Sequence, residues 1–291
     1  MKAPGYYIFF IVNYLVTLLP LRVLYIFSDI FYVLIYHLAR YRRKIVAANL
    51  KNSFPEMSEA GRRLIERRFY RYLADLLVET LKATHMSPKE IAARMTVRDT
   101  TLVDRFYNEG RDVVAVLGHY CNWEWLSSVA MQTPYRILTI YKPLKNEYFD
   151  NFILRLRTKY GLHASPMEHI FRDILDFRNK NIRTITAFVA DQTPPRDNNP
   201  YWATFLNQDT CFYRGPEKIA VKFDMPVFFA RITRIKRGYY ELDMKLITEH
   251  PKDEAPDFIT SRHAAMLEEL IREKPEYWLW SHRRWKYKRP V

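Results

Sequence analysis

The stretch Val113-Val114-Ala115-Val116-Leu117-Gly118-His119-Tyr120-Cys121-Asn122-Trp123-Glu124 decides the reading of this chain. Five consecutive apolar residues, three of them β-branched, read as a strand buried on both faces. Gly118 ends it, and a helical pattern resumes over residues 122–131. A strand, a turn carrying polar chemistry and a helix are the parts of an open α/β sheet, whose sites lie at the carboxyl ends of strands.

Working outward, residues 136–140 and 184–190 are two more buried strand candidates. Residues 227–235 and 239–246 form a hairpin across Arg237-Gly238. Between them lie amphipathic helical patterns at 149–160, 170–179, 215–223 and 255–274, and a Pro/Asn-rich loop at 193–200. Residues 97–110 read as a short strand, a turn and a short helix. On the N-terminal side a helix at 41–54 turns at Ser53-Phe54-Pro55-Glu56, and Ser58 caps a helix running to about residue 84. Alternating strands and helices with a late hairpin predict an α/β fold, a mixed central sheet flanked by helices.

The chain has 291 residues, 46 Lys and Arg against 32 Asp and Glu, and a net charge of +14. Eighteen Phe, 6 Trp and 21 Tyr make it rich in aromatics. Apolar residues at 48% and only 7 Gly exclude collagen-like and disordered chains. Two Cys exclude a disulfide scaffold, and no disulfide is expected. The positive charge suits nucleic acid, an anionic membrane surface or an acidic protein, and composition does not choose among them.

The N-terminal segment narrows that choice. Residues 6–21 carry no formal charge, and apolar character resumes after Arg22 with Asp29 the lone charge before Arg40. Sixteen helical residues span about 24 Å, short of an apolar core of about 30 Å. Pro20 interrupts the pattern. A single tilted span running past Arg22 and two shorter helices lying in one leaflet both fit, as does an apolar hairpin buried in the soluble core. No signal-cleavage pattern follows, so the segment is expected to be retained. The cluster Arg40, Arg42, Arg43, Lys44 marks the cytoplasmic side. Residues 1–39 are thus expected to be a membrane anchor and 40–291 a catalytic domain. Arg283, Arg284, Lys286, Lys288 and Arg289 mixed with Trp278, Trp280, Trp285 and Tyr287 could stack on bases or meet lipid headgroups. The apolar N-terminus favours lipid, so no nucleic-acid partner is expected.

His119 follows the first buried strand and Glu124 lies five residues on. An imidazole titrates near ~6.5 in water, and a carboxylate on one ring nitrogen fixes the tautomer that leaves the other as a base. The spacing alone also fits a structural histidine in a loop. Cys121 could be a thiolate nucleophile or a small buried side chain. Nothing has the two-His helical spacing of a zinc protease, and no metal is expected.

These residues, with others along the chain, resemble the bacterial lipid A biosynthesis acyltransferases, part of the wider lysophospholipid and glycerolphosphate acyltransferase superfamily. The likeness covers about residues 42–290. It rests on Arg43-Lys44-Ile45-Val46-Ala47-Ala48-Asn49-Leu50 followed by Ser53-Phe54-Pro55-Glu56, on His119 to Glu124, on Tyr141-Lys142-Pro143-Leu144-Lys145-Asn146 and on Ala190-Asp191-Gln192. Phe205-Leu206, Arg214-Gly215-Pro216, Met225-Pro226-Val227 and Trp280-Ser281-His282-Arg283-Arg284-Trp285-Lys286 complete it. The resemblance implies transfer of an acyl chain from a thioester to a lipid hydroxyl, with His119 as base oriented by Glu124 and Asp191 in the active site. Lys142 stands where the family has Arg, a departure because Lys lacks the planar bidentate fork. Asn122, Asn146, Gly215, Pro216, Arg283 and Arg284 are expected at substrate, with Gly215-Pro216 opening a helix whose N-terminus could hold phosphate or simply begin the helix. No bound cofactor is implied. The donor is a co-substrate carried by acyl-carrier protein or coenzyme A, and the partners are a membrane lipid, the acidic carrier and anionic phospholipid at the inner membrane. Acylation of another lipid, such as a lysophospholipid, an aminolipid or a mannosylated phosphoinositide, is the near alternative. A non-enzymatic basic binding protein is the distant one.

Overall fold

The computed structural model describes residues 3–194 and 200–289. The chain opens with α1 (Ala3–Leu18) and α2 (Leu21–Val33), the latter continued by a π-helical turn, Leu34–Leu38. Pro20 stands at the junction, so the apolar segment is two helices and not one. Leu21–Leu38 has mean hydropathy 1.5 and is only 28% buried, which sets it apart from a core helix. Ile11, Leu15, Ile26, Ile30 and Leu38 are more than half exposed. Exposed apolar side chains on two successive helices fit a membrane contact.

These helices are also built into the body. Next come α3 (Arg43–Ser53) and α4 (Glu59–Lys82), whose N-cap Ser58 accepts from Gly61 N–H as the sequence predicts. On α4, Glu79 is fully buried and accepts from Tyr25 and Tyr240 hydroxyls and the Asn122 amide at 2.7–2.8 Å. One turn earlier Asp75 accepts from Ser28 and is paired with Arg234 and Arg237. Lys82 donates to the Thr17 carbonyl. Burial raises the Glu79 carboxyl above its usual range, against the pull of its two tyrosines. The division expected at residue 39 is therefore crossed by a buried polar network.

After α5 (Pro88–Ala92) come β1 (Met95–Val97), α6 (Thr101–Asn108) and β2 (Val113–Leu117). The helical pattern expected at 122–131 is a 3-10 helix, Trp123–Met131. The chain continues through β3 (Arg136–Tyr141), α7 (Glu147–Thr158), β4 (His163–Pro166), α8 (Ile170–Asn179) and β5 (Thr184–Val189). The loop expected at 193–200 lies largely outside the described residues. A small hairpin follows, β6 (Tyr201–Phe205) and β7 (Gln208–Phe212), turning at Leu206 and Asn207, both with positive φ. The fold closes with α9 (Gly215–Phe223), β8 (Val227–Lys236), β9 (Tyr239–Thr248) and α10 (Phe258–Glu273).

Seven strands form one sheet in the order β1-β9-β8-β2-β5-β3-β4. Every neighbouring pair is parallel except β8 with β9, so the sheet is mixed, as the sequence predicts. Central β2 is buried at every position between β5 and β8. Leu117 pairs in register with Val189, which carries the chains leaving β2 and β5 side by side out of the sheet.

Candidate active site

Two residues beyond those paired strand ends stand His119 and Asp191. The Asp191 carboxylate takes three donors. Its Oδ1 lies 2.5 Å from His119 Nδ1, while Oδ2 accepts from the His119 backbone N–H at 2.9 Å and from the Trp278 indole at 2.8 Å. Gly118 permits this approach, since a Cβ there would stand 2.7 Å from Leu267 and 3.3 Å from Asp191 Oδ2. Burial would raise the Asp191 carboxyl, but the His119 ring, Trp278 and the His119 N–H together hold it well below the usual carboxylate range. The tautomer that places its proton on Nδ1, toward Asp191, leaves Nε2 as the acceptor facing the Gln192 amide 3.2 Å away. That is the tautomer a general base requires.

The C-terminal segment clamps this loop from outside. Leu279 N–H donates to the His119 carbonyl, Cys121 N–H donates to the Tyr277 carbonyl, and Tyr120 bridges Trp278. Cys121 is fully buried, and burial pushes its thiol well above the usual range, which leaves it unreactive.

Glu124 does not orient the imidazole. Its carboxylate takes a bidentate pair from Arg157 at 2.6 and 3.0 Å and a bond from the Trp123 indole at 3.1 Å. The 3-10 winding of its segment turns Glu124 toward α7, where Arg157 sits, and Asp191 has the place on His119 that the His-x4-Glu spacing suggests for Glu124.

His119 and Glu124 nonetheless share one cavity of about 810 Å³. One face of the sheet floors it, with Ala115, Ala187, Ala230 and Leu242 among the residues, and Leu126 and Val129 of the 3-10 helix line it as well. Ala115 and Ala187 are register partners, so methyls stand where larger side chains would fill the space. Arg42, Lys142, Arg157, Arg283 and Lys286 also line it, together with His119, His282 and Gln192.

Several expected substrate residues are placed elsewhere. Asn122 is buried, caps the 3-10 helix and donates to Glu79. Asn146 caps α7 by accepting from Tyr148 and Phe149 N–H. Gly215 and Pro216 begin α9 under Tyr213, whose ring a Cβ at 215 would strike at 2.0 Å. In its first turn Glu217 serves Asp257 and Thr260 at the start of α10. Arg284 is buried with its guanidinium over Phe212 and a bond to the Cys211 carbonyl. Lys142 and Arg283 do reach the cavity. Sequence reasoning missed Arg157, which sits on a helix with no motif around it, and gave Trp278 no part in holding Asp191. Among the described residues no group of three or more His, Cys, Asp or Glu could hold a metal ion.

The geometry is that of an α/β sheet with a strand-end imidazole, held by a buried carboxylate, at the edge of a largely alkyl-lined cavity. The chain matches the family model described as bacterial lipid A biosynthesis acyltransferase over residues 1–287, and it belongs to that family. It is accordingly a membrane-associated acyltransferase of lipid A biosynthesis. Among curated proteins none matches it.

Proposed function

We propose that the enzyme transfers an acyl chain from a thioester, carried by acyl-carrier protein, to a hydroxyl of a lipid A precursor at the cytoplasmic face of the inner membrane. His119 Nε2 takes the hydroxyl proton as the oxygen attacks the thioester carbonyl. The carbonyl π electrons move to oxygen, giving a tetrahedral oxyanion. Collapse of that intermediate breaks the C–S bond, and the leaving thiolate takes the proton back from the imidazolium. Asp191 stabilises the imidazolium without accepting its proton. Arg157, fixed by Glu124, and Lys142 supply positive charge for the oxyanion. The acyl chain lies along the alanine-floored cavity.

The observation that carries this reading is His119 at an apolar cavity with its Nδ1 bound to Asp191. The basic cluster directly after the apolar helix supports the cytoplasmic orientation. The test is turnover of lipid A precursor by purified enzyme with acyl-carrier-protein and coenzyme A donors. The carrier-bound donor is expected to be used better, and His119→Ala to lower kcat by about 10²–10⁴. Full activity in a folded His119→Ala enzyme removes the mechanism. Mass spectrometry of a deletion strain showing lipid A unchanged and another lipid under-acylated removes the acceptor.

A further inference from the structure

Beside the catalytic cavity a second concavity of about 920 Å³ opens between α3 and the start of α4. Eight basic side chains and two carboxylates line it. The carboxylates are spent locally, Glu66 on Arg43 and Glu59 on Arg63. Arg40, Lys44, Lys51 and Arg283 are exposed, and among the described residues their side chains have no hydrogen-bond or ion-pair partner. Unpaired cations gathered in a groove repel one another, a cost that an anion seated among them reverses.

Two further features give the groove a direction. Arg42 and Arg283 line both it and the catalytic cavity, so the two spaces adjoin. Their spacing is fixed, because Asn49 donates to the Trp280 and His282 carbonyls and Arg42 to the Ser281 carbonyl, in the segment that also clamps His119. The groove begins two residues after Leu38, the 71% exposed end of the apolar helix. It lies where a helix leaving an apolar phase meets headgroups.

We propose that this groove binds a phosphate on the headgroup of the acceptor lipid and so delivers that lipid's hydroxyl to His119. The inference rests on the acyl-transfer reading for its substrate. A concave, cation-lined space at the membrane level and open to the cavity suits the anionic head of a bilayer lipid. An acidic carrier protein approaching from water is the competing occupant.

The experiment compares wild type with the Lys44→Ala/Lys51→Ala double variant on two acceptors, a diphosphorylated lipid A precursor and the same lipid after phosphatase treatment. Both substitutions sit at exposed, unpaired positions, and folding is verified by thermal melting. Expected is a rise in KM for the phosphorylated acceptor of about tenfold, the equivalent of about 1.4 kcal/mol, with kcat and the KM for acyl-carrier protein unchanged. The dephosphorylated acceptor should bind poorly to both forms and equally. An unchanged acceptor KM overturns the proposal, as does a rise confined to the donor KM, which would assign the groove to the carrier protein. Flotation with neutral vesicles doped with either lipid reads binding without turnover. If wild type turns over neither lipid yet prefers phosphorylated vesicles and the variant does not, the groove stands and the acyl-transfer reading falls. Equal flotation of wild type and variant overturns the groove.

Discussion

Asp191 shows how much one carboxylate can organise. It holds the imidazole through Nδ1, the histidine backbone through N–H and the C-terminal segment through the Trp278 indole. Replacing it with Asn keeps the shape but offers an N–H or a carbonyl where the ring needs an anion. Asp191→Asn is therefore expected to cut kcat by about 10⁴ with little change in acceptor KM. Glu124→Gln acts differently. It leaves the imidazole in place and releases Arg157 from its bidentate partner, so kcat is expected to fall by less than in Asp191→Asn. Steady-state kinetics of the two variants check this, and a loss in Glu124→Gln as large as in Asp191→Asn would contradict the assignment. The sequence places both His119 and Asp191 just after buried strands, and only the family resemblance points to Asp191 as part of the site. Their partnership was not legible, because it depends on β2 pairing with β5 across 66 intervening residues of chain, counted from Leu117 to Thr184, and sequence order does not state which strands are neighbours. Glu124 was misread for the opposite reason. Nearness along the chain stood in for nearness in space, and a 3-10 turn sends the side chain elsewhere.

At the scale of elements, the sequence pattern located most helices and the central strands, since continuous apolar runs and 3.6-residue spacing are strong signals. It missed the β6–β7 hairpin. That pair turns through Leu206 and Asn207 in the left-handed region, and Leu is not the residue such a turn advertises. Short β4 was missed as well, having only four residues and a proline at its end. The cavity is likewise a product of elements. Alternation along the strands puts Ala115, Ala187, Ala230 and Leu242 on one sheet face, and no single strand reveals that their methyls meet over a void. A larger side chain there occupies space an acyl chain needs. Ala187→Leu is expected to shift the preferred donor toward shorter chains and lower kcat/KM for the longest accepted donor by at least about 10–200-fold, the usual discrimination for a single methylene in an apolar pocket. A series of acyl-carrier-protein donors of increasing length measures it. An unaltered length profile would mean that the chain lies elsewhere.

Across the whole molecule, the buried layer behind the site sets how the protein responds to acid. His263 on α10 is buried between the rings of Phe212 and Phe229. Burial, helped by the Arg284 charge and opposed by Asp191, lowers its pKa to about 4. His282 is lowered to about 4 as well, by burial first and then by the Arg284, His119 and Arg42 charges against Asp191. An unfolded histidine takes a proton near ~6.5, so between that value and about 4 the unfolded chain binds more protons than the folded one. Stability is then complete above the unfolded value and falls as pH drops through the window. The fall is on the order of 3 kcal/mol for His263 if fully expressed. Asp191 adds a loss in the same direction at lower pH, because its depressed carboxyl stabilises the fold only while ionised. Urea midpoints measured from pH 7 to pH 4.5 in detergent should decline steadily, and His263→Phe, which fills the aromatic pocket without a titrating group, should flatten the decline while leaving the unfolding free energy at pH 7 within about 1 kcal/mol of wild type. The same slope in His263→Phe would place the acid sensitivity outside this layer. The membrane-facing helices enter the result too. Their ties to α4 run through Asp75 and Glu79, so a protein stripped of lipid should lose its α2 contacts and its acid-sensitive layer in one transition, not as a detached anchor and a separate domain.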